Sequence, residues 1–281
     1  MGFVTLRFVD QKKKGADFAE NSEGIDTLRR LVTEGKKRHP ETEIGLTGLP
    51  IMENDEMRCS QSSMTVATVL SLFGVLIVLV AGLGGMRHSF LIMITLTAGM
   101  IWSLGYTTLA VGHLNILSSA FGAILIGLGN DYGTYYVAQY LQLRNARYST
   151  QDALLETARS VAPGITVGAA ATAIAFFMAG LTEFTGVAEL GIIAGGGIAL
   201  CWLANMTVLP AMVQLWDAKR PERALPVPLD FHLWIRPLLA RPIPVLVLTL
   251  GGTALLSVAI TGVKFDNNLL NLQPTGLESV E

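Results

Sequence analysis

One acidic residue stands alone in a long uncharged stretch, and its chemistry is the first thing to account for. The run Gly127-Leu128-Gly129-Asn130-Asp131-Tyr132-Gly133 lies within the stretch from about Leu114 to about Leu143, which only Asp131 interrupts. On a helix rising 1.5 Å per residue, Asp131 sits roughly 20 Å from Arg144, near the middle of a bilayer core. A carboxylate at that depth costs about 3 kcal/mol or more, and nothing in helix formation requires it. Intramembrane acids of this kind usually face a bundle interior and carry protons or ions. Burial favours the neutral acid over the ion, so reversible protonation is the chemistry this position could perform. The alternative is an Asp held permanently protonated, or hydrogen-bonded, as glue between helices.

The neighbours suit an acid that titrates. Gly127 and Tyr135 lie one turn either side of Asp131 on the same face, one clearing space and the other offering a hydroxyl. Tyr132 and Tyr136 form a second stacked pair, and Asn130 adds an amide. Accessory candidates are Glu189, near the outer end of a later apolar run, and Thr172, which can hydrogen-bond across to the acid or back to its own helix. Gly129 and Gly133, the pair Gly164 and Gly168, and the pair Gly191 and Gly195 read as small residues that let helices approach closely, as does Gly127. A dinucleotide fingerprint would need glycine at position 132, where Tyr132 stands. No catalytic Ser/His/Asp set and no metal-ligand cluster is evident, so neither an enzyme nor a cofactor is expected. Cys59 and Cys201 read as two free thiols.

These residues need a membrane to position them. Of the 281 residues, 51% are apolar and 15% charged, against about 25% charged in an ordinary soluble domain. The net charge of −2 offers no basic field for nucleic acid. Half of the charges, ten Lys/Arg and eleven Asp/Glu, fall in residues 1–63. Beyond them, six stretches could each cross a bilayer, which takes about 20 residues. They are Val66–Leu83, His88 to His113, Leu114 to Leu143, Arg159 to Glu183, Gly186–Trp216 and Arg241 to Lys264. None alternates with period two, so a β-barrel is not supported. Arg87, then Arg144, Arg147 and Arg159, then Lys219, Arg220, Arg223, Arg236 and Arg241 occupy alternate connections. The opposite short loops carry no Lys or Arg, which places the basic loops in the cytoplasm and residues 1–63 outside.

The expected fold is therefore a mainly α-helical polytopic membrane protein with about six transmembrane helices and a small external α+β subdomain. In that subdomain Phe3–Val9 and Glu43–Leu46 read as strands. Ile25, Leu28, Leu31 and Val32 form the stripe of a helix, and Ile51–Gln61 forms a polar helix leading into the first span. The expected domains are residues 1–63 (the C-terminal part of an external α/β domain), 64–216 (a five-helix bundle), 217–241 (a cytoplasmic linker with an interfacial helix at Phe231–Leu239), 242–263 (a further span) and 264–281 (the start of a second external domain). Ser149–Ala162 reads as an amphipathic helix at the cytoplasmic interface. No export signal precedes the external part, which is the pattern of a piece whose preceding span is missing.

The Gly-Leu-Gly-Asn-Asp-Tyr-Gly run resembles the Gly-x-Gly-x-Asp-Tyr/Phe signature of the resistance-nodulation-division superfamily, in its MMPL branch with the hopanoid transporters. Thr47-Gly48-Leu49-Pro50, Ala170 to Phe176, and Phe265 to Pro274 resemble further segments of that branch in the same order, so the likeness covers nearly the whole chain. The resemblance implies proton-driven export of hydrophobic or lipid substrates, including hopanoid or lipid traffic to the outer membrane, from a bacterial inner membrane. It places the proton relay at Asp131 and Tyr132. It also implies membrane lipids, the lipid substrate and the second half of the same transporter as partners, with homo-oligomerisation an option. Asn130 departs from the usual apolar or small residue. The other class of function is a non-transporting sensor or scaffold, like the sterol-sensing relatives.

Overall fold

The computed structural model describes residues 22–42, 44–115, 117–217 and 240–262, with residues 5 and 236 isolated. Among these residues every regular element is helical: α1 (Ser22–Arg38), α2 (Leu49–Leu83), α3 (Met86–Ala110), α4 (Phe121–Asn145), α5 (Thr150–Ser160), α6 (Ala162–Ala179), α7 (Thr185–Asp217) and α8 (Pro242–Ala259), with short 3-10 turns at Ser118–Ala120 and Ile260–Gly262. Helices α1 to α7 belong to one compact unit and α8 to a second.

The small α+β subdomain is not supported. Residues 44–47 carry no regular structure, and among the described residues there is no strand for them to pair with. Apart from the isolated residues 5 and 236, the run Phe3–Val9 and the interfacial helix expected at Phe231–Leu239 lie outside the described residues. What the structure shows instead is α1 packed against the polar half of α2. Arg29 pairs with Asp55, and Arg58 pairs with Asp26 at 2.6 Å.

The polar helix and the first span are one helix. Between Pro50 and Gly74 there is no glycine or proline to stop it, so α2 continues through 35 residues. That is about 50 Å at 1.5 Å per residue, more than a membrane core needs. It ends at Gly84, whose φ of +68° is the left-handed cap that glycine adopts without strain.

Among the described residues, five helices are long and apolar enough to cross a membrane: Pro50–Leu83, Met86–Ala110, Ala162–Ala179, Thr185–Asp217 and Pro242–Ala259. The protein is a multi-pass membrane protein. Helix α4 is as long as α3 but falls short on composition, because Asn130, Asp131, four tyrosines and two glutamines dilute its apolar residues. Its apolar side chains Leu125, Ile126, Val137 and Leu141 are buried against other helices. Apolar side chains on the outside of the bundle, such as Phe73, Val78 and Val167, stand exposed as lipid-facing residues do.

Helix α7 is the hub, in contact with α3, α4, α5 and α6. It comes close because its small residues remove side chains from the contact. A Cβ at Gly191 would lie 2.5 Å from the Phe176 carbonyl oxygen, and one at Gly195 3.0 Å from that of Ala173. Gly197 and Gly99 work the same way between α7 and its neighbours α3 and α4. Helix α5 forms where an amphipathic helix was expected, capped by Ser149, whose hydroxyl oxygen accepts from the Asp152 N–H at 3.1 Å.

Candidate functional site

Two residues of helix advance turn the chain by 200°, so Asp131 must face away from both Gly129 and Gly133. The structure places the glycines inward. A Cβ at Gly129 would meet Leu96 at 3.1 Å and Cys201 at 3.3 Å; one at Gly133 would meet Asn205 Oδ1 at 2.7 Å and Ile92 at 3.0 Å. Asp131 is consequently exposed, not enclosed within the bundle as expected. It opens onto a groove of about 460 Å³ between α4 and α6. Leu128, Tyr132 and Tyr135 line it on the α4 side, and Gly164, Gly168 and Thr172 on the α6 side. No hydrogen bond or ion pair holds the Asp131 carboxylate among the described residues.

The groove corrects the expectation for three glycines. A Cβ at Gly127, Gly164 or Gly168 would meet nothing within 4 Å, so these do not serve close helix packing. Gly164 and Gly168 instead leave the α6 backbone bare opposite the acid. The Thr172 hydroxyl donates to the Gly168 carbonyl of its own helix at 2.8 Å. Tyr132 is buried and Tyr135 is exposed at the groove's edge. Asn130 is half-buried; its Oδ1 has no partner among the described residues, and its carbonyl accepts from Thr134 at 2.9 Å.

Glu189 is engaged elsewhere. It accepts from Asn115 Nδ2 at 2.6 Å and faces His113 Nε2 at 3.3 Å, at the α3–α4 loop. Asn115 and Ser118 hold that loop by reciprocal bonds of 2.7 Å. Helix α4 starts ten residues before Asp131, which puts this corner about 15 Å from the acid along the axis.

Sequence reasoning missed Asn205. Its side chain is buried in α7 and donates from Nδ2 to the Gly129 carbonyl at 3.2 Å and the Cys201 carbonyl at 2.8 Å. It thus ties α7 to the backbone of the motif that carries Asp131. The available signal was a lone amide in an uncharged run, the same kind of signal that singled out Asp131. Also missed was Asp217, the last residue of α7, which pairs with Arg87 at 2.5 Å and so brings the α2–α3 turn to the end of α7.

A family model, the MMPL family, matches residues 10–245, most of the chain. The chain belongs to the MMPL family. Among its relatives is the hopanoid transporter HpnN of Burkholderia multivorans, 30% identical over 285 residues, covering 99% of this chain and 31% of the relative. The protein of the same name from Rhodopseudomonas palustris is 29% identical over 245 residues, covering 84% of this chain and 27% of the relative. The NPC1-like intracellular cholesterol transporter 1 of Rattus norvegicus is 27% identical over 170 residues, covering 60% of this chain and 11% of the relative. The chain thus spans less than a third of the length of each of these three.

Chemically, the site offers a carboxyl with no fixed partner, a buried phenol next to it, and a groove floored by bare backbone on α6. Such a place can take up a proton, or receive a cationic or hydrogen-bonding group from outside these helices. Helix packing behind it holds the motif rigidly from the α3 and α7 side.

Proposed function

We propose that this chain is part of a proton-driven exporter of hydrophobic or lipid substrates, with Asp131 taking up and releasing the coupling proton and Tyr132 assisting. The observation that carries this reading is the placement of an unpartnered carboxyl midway along α4, facing an open groove of small residues. Two hopanoid transporters among the relatives support a polycyclic lipid as the substrate class. A proton crossing 100 mV supplies about 2.3 kcal/mol, and at Asp131 that energy can bias the packing of α4 against α6.

In this reading α4 is a sixth span. Its polar residues are tolerated because most of them point at other helices and the groove, not at lipid. The arginine-bearing connections face the cytoplasm, and α1 with the polar half of α2 stands in the periplasm of a bacterial inner membrane. Partners are membrane lipids, the lipid substrate and the second half of the same transporter, with self-association open to test.

The test is substrate efflux from membrane vesicles of the complete protein under an imposed pH gradient. Asp131→Asn keeps size and hydrogen bonding but removes the titratable proton, so it inserts normally and loses export. Tyr132→Phe weakens export less, since it removes one hydroxyl and no charge. Full efflux by Asp131→Asn at normal expression refutes the relay and favours a sterol-sensing-like sensor or scaffold.

A further inference from the structure

Helix α4 meets α7 through glycines. A Cβ at Gly129 would lie 3.3 Å from Cys201 of α7, and one at Gly133 2.7 Å from Asn205 Oδ1. Helices resist rotation by interleaving their side chains, and two glycines leave nothing on this face of α4 to interleave. Yet the rotation of α4 decides what Asp131 faces. Among the described residues Asp131 is the one charged side chain lining the groove, so no ion pair from α6 holds it there. Its aim is set by its own helix.

A single amide supplies the direction that the glycines remove. Asn205 is 1% exposed in α7. Its Nδ2 donates to the Gly129 carbonyl at 3.2 Å and, within α7, to the Cys201 carbonyl at 2.8 Å. Its Oδ1 accepts no hydrogen bond among the described residues and is seated where a Gly133 side chain would begin. One end of the amide is thus bonded to the first glycine and the other rests over the second. At 100° per residue, Gly129, Gly133, Tyr136 and Tyr140 fall within an arc of about 60°, with Asp131 on the opposite side of α4. The rest of that stripe is fastened too. Tyr136 donates to the Leu154 carbonyl of α5 at 3.3 Å, and Tyr140 to Asp217 Oδ2 at 2.8 Å, on a carboxylate that Arg87 and His88 also approach. Those bonds lie five and nine residues past Asp131, whereas the Asn205 bond is two residues before it.

We propose that Asn205 is a positioning residue for proton uptake: its bond to the Gly129 carbonyl fixes the rotation of α4 that aims Asp131 at the groove. This inference rests on the proton reading of Asp131. Asn205 acts from the far side of α4, through the backbone of the motif. Without that bond the glycine face turns on α7, and the carboxyl spends less time in the groove.

The experiment uses the complete protein in proteoliposomes. A hydrophobic carbodiimide, which modifies protonated carboxyls within membranes, reads the access of Asp131 by mass spectrometry. Proton flux under an imposed pH gradient and thermal unfolding are measured alongside. In Asn205→Ser the hydroxyl bonds back to the Cys201 carbonyl, as Thr207 does to Leu203, and is too short to span to Gly129. This variant slows modification of Asp131 about fivefold, the scale of one lost hydrogen bond, and shifts the pH profile of flux. Asn205→Asp has the same shape and donates from its neutral carboxyl, so it restores much of both. Ile193→Ala removes buried contacts elsewhere on α7, lowers thermal stability, and leaves the modification rate and the profile unchanged. A merely structural Asn205 would behave like Ile193. Parent modification and profile in a folded Asn205→Ser, with Asp131→Asn inactive, overturn the positioning role and leave the Asp131 reading intact. Normal flux in Asp131→Asn overturns that reading, and the positioning role with it. Should Asn205→Ser fail to fold, Asn205→Leu, which keeps the volume without the amide, is judged by the same criteria.

Discussion

At the scale of single residues, the motif works by opposition of faces. Gly129 and Gly133 give α4 its approach to α3 and α7, and the 200° between alternate residues turns Asp131 outward to the groove. The glycines of the motif are thus not equivalent. Gly133→Ala forces a methyl to within 2.7 Å of Asn205 Oδ1 and 3.0 Å of Ile92, both fully packed. It should lower stability by about 1–3 kcal/mol, the usual cost of overfilling a packed site. Gly127→Ala meets nothing and should leave stability unchanged or slightly raised, since alanine favours helix. Thermal unfolding of the two variants in the same detergent checks this. Equal stabilities would mean that α4 sits in a different rotation.

At the scale of elements, α6 and α7 meet closely where glycines of α7 face main-chain atoms of α6 and its end. A side chain can swing aside, but the Phe176 carbonyl and the Gly180 N–H cannot, because they belong to the helix and its end. Gly191→Ala would set its Cβ 2.5 Å from the first and 2.7 Å from the second. The two helices must then separate, with a loss of at least about 1–3 kcal/mol. Because α6 forms one wall of the groove, the same variant should also alter the environment of Asp131. A cysteine pair across α6 and α7 that crosslinks in the parent and fails to do so in Gly191→Ala would show the separation; unchanged crosslinking and unfolding would refute it.

At the scale of the whole molecule, the two ends of the bundle differ in charge. One carries Arg87, paired with Asp217, and the turn after α4 with Arg144 and Arg147; the other carries the Asn115–Glu189–His113 corner. In the orientation proposed above, from the positive-inside bias, the first faces the cytoplasm. Cysteine at Arg147, in the turn before α5, should stay unlabelled by an impermeant thiol reagent added outside intact cells. Cysteine at Thr182, in the turn before α7, should react. Both are exposed, so access to the protein surface does not limit the result. The reverse labelling pattern would invert the topology.

Much was legible from the chain alone because the bilayer imposes simple rules. Length and apolar content located the helices now seen as α2, α3, α6, α7 and α8. The isolation of Asp131 in an uncharged run marked it as an expense needing a reason, and the ordered motifs pointed to the family that the chain belongs to. Other readings needed the tertiary structure. Glu43–Leu46 reads as a strand locally, but a strand exists only with a pairing partner, and there is none among the described residues. Gly164 and Gly191 look alike as small-xxx-small positions, yet one opens on a groove and the other presses on a carbonyl. The difference lies in how each helix is rotated against its neighbours, and spacing along a single helix does not contain that angle. The same holds for Arg87, His88, Tyr140 and Asp217. At the extremes Arg87 and Asp217 are 130 residues apart, and Tyr140 donates to Asp217 across a separation of 77. Only the return of α7 alongside α3 and α4 brings them to one carboxylate.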